Sequence, residues 1–259
     1  MSDSRRGGFP AGARVLVTGA AGGIGAQTCA VLGERGAHVI AADLRSADID
    51  ADCAERHGLD VTDRDAVPAV VGGLGALDGL VLSHGITSLG PAVDTPMAAV
   101  DRVLAVNLAG AIAVTHAALP GLVERRGRIA VLSSVSGFAP LVHRTAYSAS
   151  KHGVHGYFDS LRAELAGRGV SVTVVAPSFV ATGIETRAAH RSAGGAGDWS
   201  TTGEVLSPRV VAEAIADGMA RRRALVLPSR TARAAYVLSR VAPTVYARTM
   251  RRRVLGEQT

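Results

Sequence analysis

The 259 residues are 47% hydrophobic and 19% charged, which provides for one large apolar core and excludes a disordered chain. Aromatics make up only 3%, so the core must be Ala, Val and Leu, the usual filling of a parallel sheet covered by helices. The net charge of +6 is uneven: residues 221–253 hold ten arginines and no acid, leaving 18 bases against 22 acids elsewhere, so the surplus belongs to the tail.

Residues 1–13 carry arginines with no apolar stretch behind them, and are expected to be a polar leader and not a secretory signal. Arg14 to Thr18 is a short β-rich run, followed by Gly19-Ala20-Ala21-Gly22-Gly23-Ile24-Gly25 and a helix to about Gly36. His38 to Asp43 is the second strand. Further strands are expected near 57–61, 78–83, 127–134, 170–176 and 224–228, with helices over 63–72, 96–123, 145–167 and 207–222. Residues 103–123 lack charge and are long enough to cross a membrane. Asn107, Thr115, His116 and Pro120 interrupt them, so a helix buried between sheet and subunit is expected instead. Gly183 to Gly203 is rich in Gly, Ser and Thr and reads as a lid, taken as 183–206. Cys29 and Cys53 lack metal-ligand spacing and read as buried thiols of a reduced compartment, which gives a cytoplasmic expectation. The alternation predicts a single α/β domain over 14–229, a Rossmann-like doubly wound parallel sheet of about seven strands with helices on both faces. A basic extension follows over 230–259.

Glycines 19, 23 and 25 after the first strand and before a helix permit a tight turn whose backbone N–H groups approach a pyrophosphate. Asp43, 18 residues beyond Gly25, can accept both ribose hydroxyls of an adenosine and would repel a 2′-phosphate. Arg45 lies near enough to soften that repulsion, and NAD is favoured over NADP. The other chemical signal is a lone residue: of 28 basic side chains 27 are arginine, and Lys151 is the only lysine. Lysine brings a compact charge with three rotatable donors where arginine brings a planar fork. Tyr147 stands four residues earlier, on the same helical face, and a neighbouring ammonium favours the phenolate, which makes the phenol a usable acid or base.

These pieces carry a resemblance. Thr18 to Gly25, Asp60-Val61, Asn107, Ser134 and Tyr147-Ser148-Ala149-Ser150-Lys151 stand in the order and at the spacing of the short-chain dehydrogenases/reductases, in their single-domain form, from about Arg14 to Ser229. The resemblance implies hydride transfer between a nicotinamide cofactor and a secondary alcohol or ketone. Tyr147 would be the general acid/base, Lys151 would lower its pKa and hold the nicotinamide ribose, Ser134 would bond the substrate oxygen, and Asn107 would hold a relay water to Lys151. Cofactor contacts are implied at Gly19, Ala21, Gly23, Ile24, Gly25, Asp43, Asp60, Val61, Gly85, Tyr147, Lys151, Pro177, Val180 and Thr182. No metal is expected, and a homodimer or homotetramer is.

Two positions depart from the family pattern. Leu82-Ser83-His84-Gly85 stands where Asn-Asn-Ala-Gly is usual, and His84 is expected beside the ribose and not as a second catalytic group. Pro177-Ser178 replaces Pro-Gly, which stiffens the start of the lid. Phe138 to Val142 suggests an apolar substrate passage; His143 and Arg144 could meet a polar end of the substrate, but an exposed loop is the favoured reading for them. Arginines and valines mix without a clean wheel over 229–253, so membrane contact ranks below a tail packed on its own subunit or a neighbour. Nucleic-acid binding ranks lower still, having no reading motif. The rival function is a dinucleotide-binding scaffold or regulator without turnover.

Overall fold

The computed structural model describes residues 11–184, 188–191 and 204–255. Most of the expected lid (185–187 and 192–203, Trp199 included) and the first ten residues of the leader lie outside the described residues. In chain order the elements are β1 (Arg14–Thr18), α1 (Gly23–Glu34), β2 (His38–Asp43), β3 (Glu55–Gly58), α2 (Ala66–Gly73), β4 (Gly79–Leu82), β5 (Thr87–Leu89) and α3 (Met97–Leu104). Then come α4 (Ala111–Glu124), β6 (Arg128–Leu132), α5 (Thr145–Leu165), β7 (Ser171–Val175), β8 (Ala188–Arg191), α6 (Pro208–Ala220), β9 (Leu225–Val226), α7 (Arg230–Val241) and α8 (Pro243–Leu255).

Seven of the strands make one parallel sheet in the order β3-β2-β1-β4-β6-β7-β9. Alternation along β1 divides the core. Val15 and Val17 pack with Val39, Ala41, Leu32 and Ile215 on the α1/α6 side, while Leu16 joins Ile40, Leu80, Ile129 and Phe158 on the α2/α4/α5 side. Both faces are buried, so the strands read as continuous apolar runs. The strand order reverses at β1 and β4, the position where ligands sit in such sheets.

The expected helix over 96–123 runs from Met97 to Glu124 with an interruption. Residues Ala105–Gly110 widen into a π-helical turn between α3 and α4. By length and composition this helix passes for a membrane span. Val106, Ala111, Val114, Ala118 and Leu122 are nevertheless buried in the core, and Val103 is fully buried as well. Beside the main sheet, β5 and β8 form a small parallel pair, which the sequence pattern does not announce.

Phe158, fully buried on α5, fills the space between that helix and the sheet. Phe158→Ala is expected to lower unfolding stability by about 3–5 kcal/mol, read from the urea midpoint at unchanged slope. A loss below about 1 kcal/mol would contradict this packing.

Candidate active site

Two cavities of about 670 and 640 Å³ open at the C-terminal ends of the parallel strands, and the glycine turn contributes to both. The smaller is lined by Gly19, Ala21, Asp43, Asp60, Val61, Gly85 and the arginines Arg45 and Arg102. Gly19 sits at φ +73°, and a side chain there would meet the His84 backbone nitrogen at 2.5 Å. At Gly25 a side-chain carbon would drive into the Gly19 carbonyl. Gly22 caps α1 with no side-chain hydrogen bond, and no acid stands in the first turn. The helix therefore offers its opening N–H groups and positive dipole end to an anion, which fits a pyrophosphate.

Asp43 closes β2 and faces this cavity. Its Oδ2 accepts from the Ala21 N–H at 2.8 Å and its Oδ1 from Leu44 N–H at 2.7 Å. Arg45 turns to Asp48, donating at 2.9 Å. Asp60 Oδ1 accepts from the Thr62 N–H at 2.9 Å and the Thr62 hydroxyl at 2.7 Å, and the hydroxyl foremost holds this carboxyl below its usual range. Ahead of α2, Asp63 Oδ1 accepts from the Asp65 and Ala66 N–H groups, so the backbone donors at that helix start bond to Asp63 and leave Asp60 to the cavity. His84 Nδ1 lies 2.6 Å from the Thr18 hydroxyl. Burial first, then the Lys151 charge, pulls its pKa down to about 3, so the ring is neutral and fixes the end of β1 against the loop after β4.

At the junction of the cavities stands the α5 pair. Tyr147 and Lys151 both face inward, at 9% and 3% exposure, and the Lys151 Nζ lies 5.7 Å from the Tyr147 ring centroid. Nζ donates to the Leu132 carbonyl at 2.7 Å. Burial pulls the Lys151 pKa from 10.5 to about 8. A side-chain carbon on Gly85 would lie 3.7 Å from Nζ and 3.3 Å from Asn107 Oδ1, so the absent side chain at 85 lets the loop close over both. Asn107, in the π-helical turn, uses its whole amide: Oδ1 accepts from Ile86 N–H at 2.9 Å, while Nδ2 donates to the Ile86 carbonyl at 2.9 Å and to Ser150 Oγ at 3.0 Å.

Ser134, just past β6, lines the larger cavity with Tyr147, and its Oγ accepts from Ser136 N–H at 3.2 Å. Ser133 borders the same cavity, but it is buried and its Oγ donates to the Lys151 carbonyl at 3.4 Å. Ile24, Pro177, Val180 and Thr182 line the same cavity, and Gly23 brings α1 within van der Waals reach of Thr182. Of the expected contact residues, Gly23, Gly25 and Lys151 line neither cavity, while the others line one of the two.

Arg144, read as exposed, is 7% exposed and lines the larger cavity, because the loop before α5 turns inward at His143, whose φ is +62°. Thr231, Ala234, Ala235 and Leu238 of α7 and Tyr246, Thr249 and Met250 of α8 form a further wall of this cavity, beyond the residues expected from the sequence. Its signal was present, an i, i+3, i+4, i+7 stripe of small and apolar residues inside an arginine-rich segment.

The family model described as short chain dehydrogenase matches residues 13–193. A "Dehydrogenase/reductase SDR family protein 7-like" from Anopheles gambiae is 33% identical over 275 residues, covering 98% of this chain and 86% of the relative. The "Probable oxidoreductase EphD" of Mycobacterium tuberculosis is 34% identical over 266 residues, 93% of this chain but 45% of the relative, so the chain spans less than half of that protein. Among solved structures, a short chain dehydrogenase from Burkholderia cenocepacia in complex with NADP superposes with a TM-score of 0.82 at 20% identity, covering 93% of this chain and 98% of the other.

Because Lys151 sheds its proton near pH 8 when folded and near 10.5 when unfolded, the unfolded chain binds more protons in that interval and stability rises with pH across it. Urea midpoints taken at pH about 8 and about 10 should show a rise in the wild type that Lys151→Met abolishes. An identical pH slope in both proteins would overturn the burial of this ammonium.

Proposed function

Since the chain belongs to the short-chain dehydrogenase/reductase family, we propose that it transfers a hydride between a nicotinamide cofactor and a secondary alcohol or ketone of an apolar small molecule. The observation that carries this reading is the buried Lys151 beside Tyr147, at the meeting point of a polar and a largely apolar cavity. When bound, the cofactor supplies the hydride acceptor or donor. The glycine turn and the N-terminus of α1 would hold its pyrophosphate, Asp43 its adenosine ribose, Asp60 and Val61 its adenine, and Thr182 its nicotinamide end.

The chain's own chemistry follows from the positions of its side chains. Ser134 donates to the substrate oxygen and steadies charge as it develops there. Tyr147 gives its phenolic proton to that oxygen in ketone reduction and takes it back in alcohol oxidation. The Lys151 charge steadies the phenolate formed meanwhile. Asn107 holds the Gly85-Ile86 loop against Lys151, a positioning role that its three hydrogen bonds support. Leu141, Val180, Ile184 and Leu238 give the cavity an apolar body that suits a hydrophobic substrate.

NAD is the favoured cofactor, because the carboxylate of Asp43 faces the ribose position while Arg45 is committed to Asp48. The Burkholderia structure carries NADP, so the test is direct. The outer face of α5 suits a second copy of the chain, since nothing lies within 4 Å of a side chain added at Gly156.

With a panel of secondary alcohols and ketones, Tyr147→Phe should lower kcat by at least about a hundredfold with cofactor affinity retained. Equal turnover in the two proteins would favour the scaffold reading. Asp43→Asn should shift the kcat/KM ratio of NADH over NADPH toward NADPH by about tenfold or more; an unmoved ratio would remove Asp43 from cofactor choice.

A further inference from the structure

The same residues that wall the larger cavity continue outward into a surface of unusual make-up. On α7 successive residues are set about 100° apart, so Thr231, Ala234, Ala235 and Leu238 form one stripe facing the cavity. Val237 and Val241 lie next to that stripe, about 40° apart on the helix, and are 59% and 79% exposed. Leu238 belongs to both surfaces: it lines the cavity and is itself 38% exposed, so it forms the lip. Val245, at the start of α8, adds a further apolar side chain at 52% exposure, and Val205 stands exposed on the cavity's lining from another segment.

Around this apolar lip stand cations. Arg233 and Arg240 follow Val237 on the α7 circumference, and Arg248, Arg251 and Arg252 occupy the exposed side of α8. Arg240 is held in place over the Tyr236 ring at 5.0 Å, and Tyr236 meets Phe138 edge-on at 5.1 Å, which ties α7 to the loop beyond β6. The wheel that looks mixed in the sequence becomes ordered once the cavity-facing positions are removed. What remains is a strip of valines and a leucine between a cavity mouth and a band of arginines, with Arg230 of the first α7 turn set between Val237 and Val241.

We propose that this lip docks on an anionic lipid bilayer. Val237, Val241, Val245 and Leu238 enter the boundary between headgroups and acyl chains, while the arginines meet lipid phosphates and keep their charge in the wet layer. The mouth of the cavity then faces the membrane, and an apolar alcohol or ketone dissolved there reaches Ser134 and Tyr147 without crossing water. This last step rests on the oxidoreductase reading above; the docking does not. Charge decides against a second copy as the occupant. A two-fold contact through this face would bring together two arginine bands from a segment that contains no acid between residues 221 and 253. An anionic nucleic acid would match the charge but leave the valines in water.

The test is flotation of the full chain with vesicles of phosphatidylcholine containing about 30% phosphatidylglycerol, against vesicles of phosphatidylcholine alone. Partition onto the anionic vesicles should exceed that onto the neutral ones about tenfold or more and weaken as salt is raised. The triple variant Val237→Asp, Val241→Asp, Val245→Asp should fall to the neutral-vesicle level, while keeping its melting temperature and its turnover of a water-soluble ketone. Arg248→Glu with Arg252→Glu should lose the preference for anionic lipid. A wild type that stays in solution with anionic vesicles, or a triple variant that floats as the wild type does, overturns the proposal. So does light scattering in which the triple variant breaks an oligomer that the wild type forms in place of binding vesicles. A chain that floats as expected but turns over no ketone would instead defeat the reaction assigned above and leave the docking standing.

Discussion

The structure turns on one hydrogen bond, from the Lys151 ammonium to the Leu132 carbonyl at the end of β6. Burying a cation against a carbonyl, with no carboxylate paired to it among the described residues, is costly, and burial is what draws the lysine's pKa downward. A fold that tolerates this has built an enclosure for it. The strand end supplies the acceptor, Gly85 supplies the missing side chain, and Asn107 pins the covering loop through Ile86. The fork of an arginine would bring five donors to a place that offers one carbonyl, which gives a physical reason for the single lysine in a chain of arginines.

Around that enclosure the two halves of the molecule differ in character. The cavity beside β2 is polar, and its walls are set by backbone: a turn without side chains, an uncapped helix start and a carboxylate fastened by two N–H groups. The other cavity is bounded by side chains from elements far apart in the chain, from Ile24 to Met250. The first arrangement suits a ligand of fixed shape. The second can change its lining by substitution on α7 and α8 while the catalytic body stays as it is.

This division also explains what the sequence disclosed. Strands that cross the core alternate between two buried faces, as Val15, Leu16 and Val17 do, and their placement was plain. The edge strand expected near 57–61 lies at Glu55–Gly58 because polar contacts and not burial fix it: Glu55 meets Arg14, His38 and His57. Periodicity is blind to such a strand. The β5–β8 pair is three to four residues long and joins segments about a hundred residues apart, so neither pattern nor spacing marks it. Tyr147, Lys151, Ser134 and Asn107 were legible because local spacing carries them. Arg144 and the α7/α8 wall were not, because tertiary approach alone decides which loop turns inward and which helix face meets a cavity.

The widened turn at Ala105–Gly110 carries a lesson about how this site is inherited. A π-helical turn holds one residue more than the regular helix would, so it is specified by the length of the chain and hardly at all by its composition. Removing a single amino acid there would let the helix run evenly from Met97 to Glu124, but every residue before the deletion would swing by about 100° about the axis. Val103 and Ala99 would leave the apolar interior, or else Asn107 would leave Ile86. Surveys that exchange one side chain for another would pass over this feature entirely; only insertions and deletions can write or erase it.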